Sequence, residues 1–106
     1  MAQEEVEAGR VEDFPEDSGR LVDAGGRLVA VFRSAGVFYA VDRTCPHAGG
    51  PLEEGFVDEG IVLCPIHAYT FDLETGRCLE HTSLAVDCFP VRVEDDIVFV
   101  SRRPRA

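Results

Sequence analysis

Short runs rich in apolar, β-favouring residues, separated by turn residues, dominate the chain from Leu21 onward. Such runs predict β-strands, and no window carries a sustained helical period. The acidic first 20 residues are expected to be solvated apart from one edge strand. The pattern therefore predicts an all-β fold, a small antiparallel sandwich or barrel of about eight or nine strands. Six stretches carry it: RLVDA, RLVAVF, VFYAVD, GFVDEGIVLC, TFDLETGRCL and AVDCFPVRVEDDIVFV.

Glycine and acidic residues mark the predicted turns between these strands. Gly25-Gly26 suits a two-residue hairpin turn, which requires positive φ. Residues 34–36 suit a longer turn with Gly36 in the left-handed conformation. Further hairpins are predicted to turn at residues 58–60, 74–76 and 95–96.

Composition limits the classes of protein to which the chain can belong. Its 106 residues suit a single domain, 1–106, in which residues 102–106 are expected to form a flexible tail. No apolar run approaches the roughly 20 residues of a membrane span, and no signal peptide is visible, so a cytoplasmic location is expected. Twenty acidic and ten basic residues give a net charge of −10, which disfavours nucleic acid as a partner.

Two loops in the middle of the chain interrupt the strand pattern with cysteine and histidine. The first contains Cys45 and His47, the second contains Cys64 and His67, and sixteen residues separate His47 from Cys64. Thiolate and imidazole ligands suit zinc and iron-sulfur clusters. Three readings follow: four unrelated residues, a structural zinc module, or a [2Fe-2S] cluster with two Cys on one iron and two His on the other. Common zinc modules group the cysteines together, whereas each loop here mixes the two ligand types, which favours the cluster.

The loop sequences CPHAGGPL and CPIHAYTFDLETG, with their flanks, closely resemble the Rieske [2Fe-2S] family over roughly residues 10–101. The resemblance implies two stacked antiparallel sheets and an inserted cluster-binding subdomain at about residues 43–76. It also implies one [2Fe-2S] cluster per chain.

The resemblance also implies the role of each ligand. Cys45 and Cys64 would hold the inner iron, and His47 and His67 would hold the outer iron near the surface. An exposed tip around the two histidines would then receive the redox partner.

The subclass is predicted to be a low-potential, ferredoxin-type protein. High-potential relatives join the two loops by a disulfide, but here Gly50 and Ile66 occupy those positions. Those relatives also place Ser and Tyr hydroxyls near the cluster, at positions that Tyr69 and Phe71 occupy here. With fewer hydrogen bonds to its sulfur atoms, the reduced cluster is less stabilised, and its reduction potential is lower.

Two electron-transfer roles fit this subclass, and neither makes the chain a catalyst by itself. The second loop and the closing sequence VEDDIVFV favour the small subunit of an NAD(P)H nitrite reductase. The alternative is the ferredoxin component of an aromatic-ring dioxygenase. Both roles imply redox protein partners, a reductase or a large catalytic subunit.

Three further residues of types that can bind metal are expected to lie outside the site. Cys78 and Cys88 fall in strand-like runs and are predicted to be partly buried thiols. His81 lies in a polar stretch and is predicted to be a surface residue.

Overall fold

The structure, a computed structural model, describes residues 4–46, 49–66, 69–81 and 83–105. Within these ranges no helix is both long enough and apolar enough to cross a membrane. The same ranges hold ten β-strands: β1 (Glu5–Arg10), β2 (Ser18–Asp23), β3 (Leu28–Ser34), β4 (Val37–Asp42), β5 (Phe56–Asp58), β6 (Ile61–Leu63), β7 (Thr70–Asp72), β8 (Cys88–Phe89), β9 (Val91–Glu94) and β10 (Ile97–Ser101).

The strands form three antiparallel sheets, which confirms the predicted all-β class. Their orders are β1-β10-β9, β2-β3-β4-β8 and β5-β6-β7. Along the chain, β5 and β6 of the third sheet lie between the two cysteine-containing loops, and β7 follows the second loop, so this sheet flanks both loops.

The four-stranded sheet is the middle layer of the molecule, because both of its faces are buried. Along β3, Val29 and Val31 belong to one apolar core, and Ala30 and Phe32 belong to the other. All four side chains are fully buried. Alternate residues of a strand point to opposite faces, so one strand supplies both cores.

The first core fills the space between the middle sheet and the three-stranded sheet β1-β10-β9, and it includes Val98 and Val100 of β10. The second core joins the other face of the middle sheet to the β5-β6-β7 sheet and the two loops. It contains Cys45, Cys64 and Phe71. The loops are therefore anchored in a core of their own.

Four hairpins turn through two residues that both have positive φ, as a type I′ turn requires. These turns are Gly25-Gly26, Ala35-Gly36, Glu59-Gly60 and Asp95-Asp96. The longer turn predicted at residues 34–36 is wrong, because Ser34 still pairs with Val37 and only two residues remain to make the turn.

Proline divides the last long strand of the sequence pattern into two. Cys88 and Phe89 pair with β4 in the middle sheet, whereas β9 pairs with β10 in another sheet. Pro90 stands between them and has no N–H to donate, so the ladder cannot continue through it. This division contributes to a count of ten strands where about eight or nine were predicted.

Residues 102–105, expected to form a flexible tail, make backbone hydrogen bonds to the rest of the domain. The Arg102 N–H donates to the Glu4 carbonyl at 2.7 Å, and the Arg105 N–H donates to the Cys88 carbonyl at 2.7 Å. The tail therefore lies along β1 and β8 in this structure.

Candidate metal centre

The first loop follows β4 and makes a tight return around Cys45. The Cys45 N–H donates to the Gly50 carbonyl at 2.9 Å, and the Gly49 N–H donates back to the Cys45 carbonyl at 2.8 Å. Gly49 adopts φ +73°, which glycine tolerates without steric cost. Thr44 and Pro51 form an isolated β-bridge below the loop. The backbone thus holds Cys45 at a fixed position.

An ion pair closes the base of this first loop. Arg43 Nη2 donates to Glu53 Oε2 at 2.5 Å, and Arg43 Nε donates to Glu53 Oε1 at 3.3 Å. The Glu53 side chain is 8% exposed. The hydrogen bonds to Glu53 raise the pKa of Arg43 above its usual value. Such a two-point contact fixes geometry better than a single bond.

The second loop follows β6 and begins at Cys64. The Cys64 N–H donates to the Tyr69 carbonyl at 2.7 Å, and this bond closes the base of the loop. Cys64 is buried, whereas Ile66, two residues later, is 54% exposed. The loop therefore buries its cysteine and carries its next residues to the surface.

The two loops lie against each other at the cysteines. A Cβ built on Gly50 would lie 3.3 Å from the Cys64 Sγ atom and 2.4 Å from Ile66 Cγ1. Cys45 and Cys64 are each 1% exposed and share one core. All four cysteines lie in the described part of the chain, and none of them forms a disulfide.

The two predicted histidine ligands, His47 and His67, lie outside the described residues, so their role stays a prediction. What the structure does contain fits a mixed cluster. Two buried thiols share one core, each held by backbone hydrogen bonds within its own loop, and the sequence places a histidine two or three residues after each. Rieske centres use this donor set, with two Cys on one iron and two His on the other.

Comparison with known proteins agrees with this donor set. The model of the Rieske-like [2Fe-2S] domain matches residues 6–101. The chain belongs to the Rieske-like [2Fe-2S] family. A Rieske domain carries one [2Fe-2S] cluster, so this chain carries one cluster and acts in electron transfer.

Individual Rieske relatives are similar over nearly the whole chain. The anthranilate 1,2-dioxygenase ferredoxin subunit of Burkholderia cepacia is 35% identical over 95 residues, 88% of this chain and 87% of the relative. The solved complex of reduced oxygenase and oxidized ferredoxin in carbazole 1,9a-dioxygenase contains a chain that superposes with a TM-score of 0.91. That chain is 27% identical, with 99% of each chain covered.

A third Rieske relative comes from a different redox system. It is a crystal structure from Mycobacterium tuberculosis, named as a candidate NADH-dependent nitrite reductase small subunit. Its TM-score is 0.89 at 27% identity, with 99% of this chain and 100% of that chain covered.

The remaining cysteines and His81 lie where the sequence suggested. Cys78 and Cys88 are buried thiols. His81 is exposed, as predicted, but its ring contacts the ring of Tyr69 at a centroid distance of 4.8 Å. This contact could not be predicted from the sequence, because twelve positions separate the two residues.

Sequence reasoning also missed Glu80, which sits beside the second loop. Its carboxylate accepts from the Thr70 N–H at 2.9 Å and from the Thr70 hydroxyl at 2.6 Å. The bond from the Thr70 hydroxyl is the main reason why the pKa of Glu80 is lowered. Only the fold brings these residues together.

Proposed function

We propose that this chain is the ferredoxin component of an aromatic-ring-hydroxylating dioxygenase system, which passes single electrons from a reductase to an oxygenase. The observation that carries the proposal is the pair of buried cysteines, Cys45 and Cys64, at the roots of two loops that meet. The similarity to the anthranilate dioxygenase ferredoxin subunit supports this choice of partner.

The ligand roles proposed here follow from burial. Cys45 and Cys64 are enclosed in the core, so they would hold the inner iron. His47 and His67 follow the two cysteines in the sequence and would hold the outer iron. The [2Fe-2S] cluster supplies one-electron transfer when bound. Pro65 and Ile66 are exposed next to this proposed exit, and both are uncharged.

The surroundings of the cysteines support a low reduction potential, near the low end of the Rieske span and on the order of −150 mV. Gly50 and Ile66 face each other where a disulfide would join the loops, and neither has a thiol. The Phe71 ring is fully buried in the core that holds both cysteines, and it has no hydroxyl. Phe71 thus offers no donor to cluster sulfur, and the reduced form lacks stabilisation from that position.

The docking surface proposed for the partner is small and apolar at its centre. Transient redox contacts of this kind typically bury less than about 1,200 Å². The net charge of −10 on the chain would attract a partner with a basic surface around the contact. A reductase and an oxygenase would both need such a surface to use the same exit.

The small subunit of an NAD(P)H nitrite reductase is the second candidate function. The loop sequences favour it, and the superposition on the Mycobacterium tuberculosis protein supports it. The dioxygenase role ranks first because the relative named for it is more similar in sequence. Both candidates use the same cluster and the same exit.

Iron analysis tests the ligand set. The purified protein should contain about two irons and two acid-labile sulfides per chain and show a Rieske electron paramagnetic resonance spectrum when reduced. Cys45→Ser and His67→Ala should each abolish that spectrum, whereas Cys78→Ser should retain it as a matched control. A colourless wild type with stoichiometric zinc would instead indicate the zinc module.

Reconstituted turnover tests the choice of partner. The reduced protein should pass electrons to a ring-hydroxylating oxygenase, with product formed from an aromatic substrate. It should fail to support nitrite reduction by a sirohaem reductase subunit. The opposite pattern would reverse the order of the two candidates without affecting the cluster assignment.

A further inference from the structure

A short segment after the small sheet, residues 79–81, packs along the start of β7. The Leu79 N–H donates to the Thr70 carbonyl at 2.8 Å. The His81 ring contacts the Tyr69 ring. This segment therefore lies against the residues that end the second loop.

Glu80 supplies the strongest contacts of this segment. Its two carboxylate oxygens accept separately from the Thr70 N–H, at 2.9 Å, and from the Thr70 hydroxyl, at 2.6 Å. The Cys78 thiol also lies 3.6 Å from the first oxygen. Hydrogen bonds to an ionised acceptor are stronger than neutral ones, so this carboxylate fixes the position of Thr70.

One peptide group links Glu80 to Cys64. The peptide between Tyr69 and Thr70 donates its N–H to Glu80 and accepts the Cys64 N–H at its carbonyl, 2.7 Å away. Hydrogen bonds arranged in series polarise one another. A negative charge on the N–H side of this peptide makes its carbonyl a better acceptor for the Cys64 N–H.

We propose that Glu80 is a positioning residue for Cys64 and that it acts through the Tyr69–Thr70 peptide group. Its charge also disfavours the extra electron of the reduced cluster, so it contributes to the low potential. The inference rests on the proposed role of Cys64 as a cluster ligand.

Three variants separate the hydrogen bonds of Glu80 from its charge. Glu80→Ala removes both, Glu80→Gln keeps a neutral acceptor for the Thr70 N–H, and Thr70→Val removes only the hydroxyl bond. Asp58→Asn is the matched control, because Asp58 is an exposed acid on the sheet that contains Thr70. It pairs with Ile61 at the turn end of the β5–β6 hairpin, away from the loops.

Two measurements on the intact, cluster-loaded protein serve as readouts. Hydrogen exchange of peptides that cover residues 64–70 reports the Cys64 amide bond, and protein-film voltammetry reports the potential. Glu80→Ala should speed exchange about three- to tenfold, the range for one net hydrogen bond, and should raise the potential. Glu80→Gln, which keeps an acceptor but removes the charge, should raise the potential and speed exchange by a smaller factor than Glu80→Ala. Thr70→Val should also have a smaller effect on exchange.

The proposal is overturned if Glu80→Ala matches Asp58→Asn in both exchange and potential. It is also overturned if exchange changes while the potential does not, because Glu80 would then be only structural. If Glu80→Ala cannot hold the cluster, the test falls to Glu80→Gln and Thr70→Val. Wild-type exchange and wild-type potential in both of these variants would refute the proposal. Cys64→Ser tests the underlying ligand assignment separately, since it should lose the cluster whatever Glu80 does.

Discussion

A disulfide introduced between the two loops would test their arrangement directly. The double variant Gly50→Cys/Ile66→Cys should oxidise to a disulfide while it retains the cluster. A Cβ built on Gly50 lies 3.4 Å from Ile66 Cβ, close to the roughly 3.5–4.5 Å that disulfides span. The atom that such a Cβ would meet at 2.4 Å, Ile66 Cγ1, is removed by the second substitution.

The expected gain in stability follows from the size of the loop that the bond closes. A disulfide around about 15 residues lowers the entropy of the unfolded chain by an amount worth roughly 3 kcal/mol. The unfolded chain has lost its cluster, so the new bond is its only restraint between the loops. For a slope of about 3 kcal/mol per M, the midpoint in guanidinium chloride should rise by about 1 M.

The assay follows cluster absorbance during anaerobic unfolding and counts thiols by alkylation and mass spectrometry. Gly50→Ala/Ile66→Ala is the matched control, because it makes similar steric changes without a bond. If both introduced cysteines are alkylated in protein with an intact cluster, the two positions do not face each other. A disulfide that forms without any rise in midpoint would refute the estimate of the gain and leave the loop geometry standing.

Three further predictions concern potential, folding and docking. Phe71→Tyr should raise the potential, because its hydroxyl would donate to cluster sulfur and favour the reduced form; an unchanged voltammogram with an intact cluster would contradict this. Asp96→Gly should raise the free energy of unfolding by about 0.5–1 kcal/mol, since Asp96 has φ +65°, and Gly60→Asp in the β5–β6 turn should lower it. Chemical denaturation measures both changes in the free energy of unfolding. If the two substitutions change it by equal amounts in the same direction, glycine is not favoured at these positive-φ positions. Stopped-flow electron transfer to the oxygenase should slow as salt rises to about 0.5 M, where the Debye length is about 4 Å, and a rate indifferent to salt would exclude charge steering.

The strands could be predicted because each one is a short apolar-rich or alternating run, and their turns carry glycine or aspartate. What the pattern could not supply was the partner of each strand. The run from Ala85 to Glu94 looks continuous, yet Pro90 sends its two halves into different sheets. Strand pairing depends on contacts between residues distant in sequence, and the local residue pattern does not specify these contacts.

The candidate cluster ligands stand out in the sequence because each loop places a cysteine and a histidine within three positions of each other. The structure buries Cys45 and Cys64 in one core, and the ligand roles of His47 and His67 stay predictions. The residues that hold the loops in place could not be predicted, because the partners lie far apart in the sequence. Arg43 and Glu53 are ten positions apart, as are Thr70 and Glu80, and each pair meets only because the chain turns back between its members. A charged residue in a polar stretch does not reveal its partner.

Because both faces of β3 are buried, the stability of the whole domain determines how much of the chain can hold its cluster. A mutation at Val31 or Val98 acts in the core that faces away from the cluster. It nevertheless weakens the sheet whose other face supports the cysteine loops. Because the cluster binds only the folded chain, a less stable sheet leaves fewer molecules ready to receive it. Cells carrying such a mutation should therefore contain chain that is short of iron, a defect easily mistaken for one of cluster assembly.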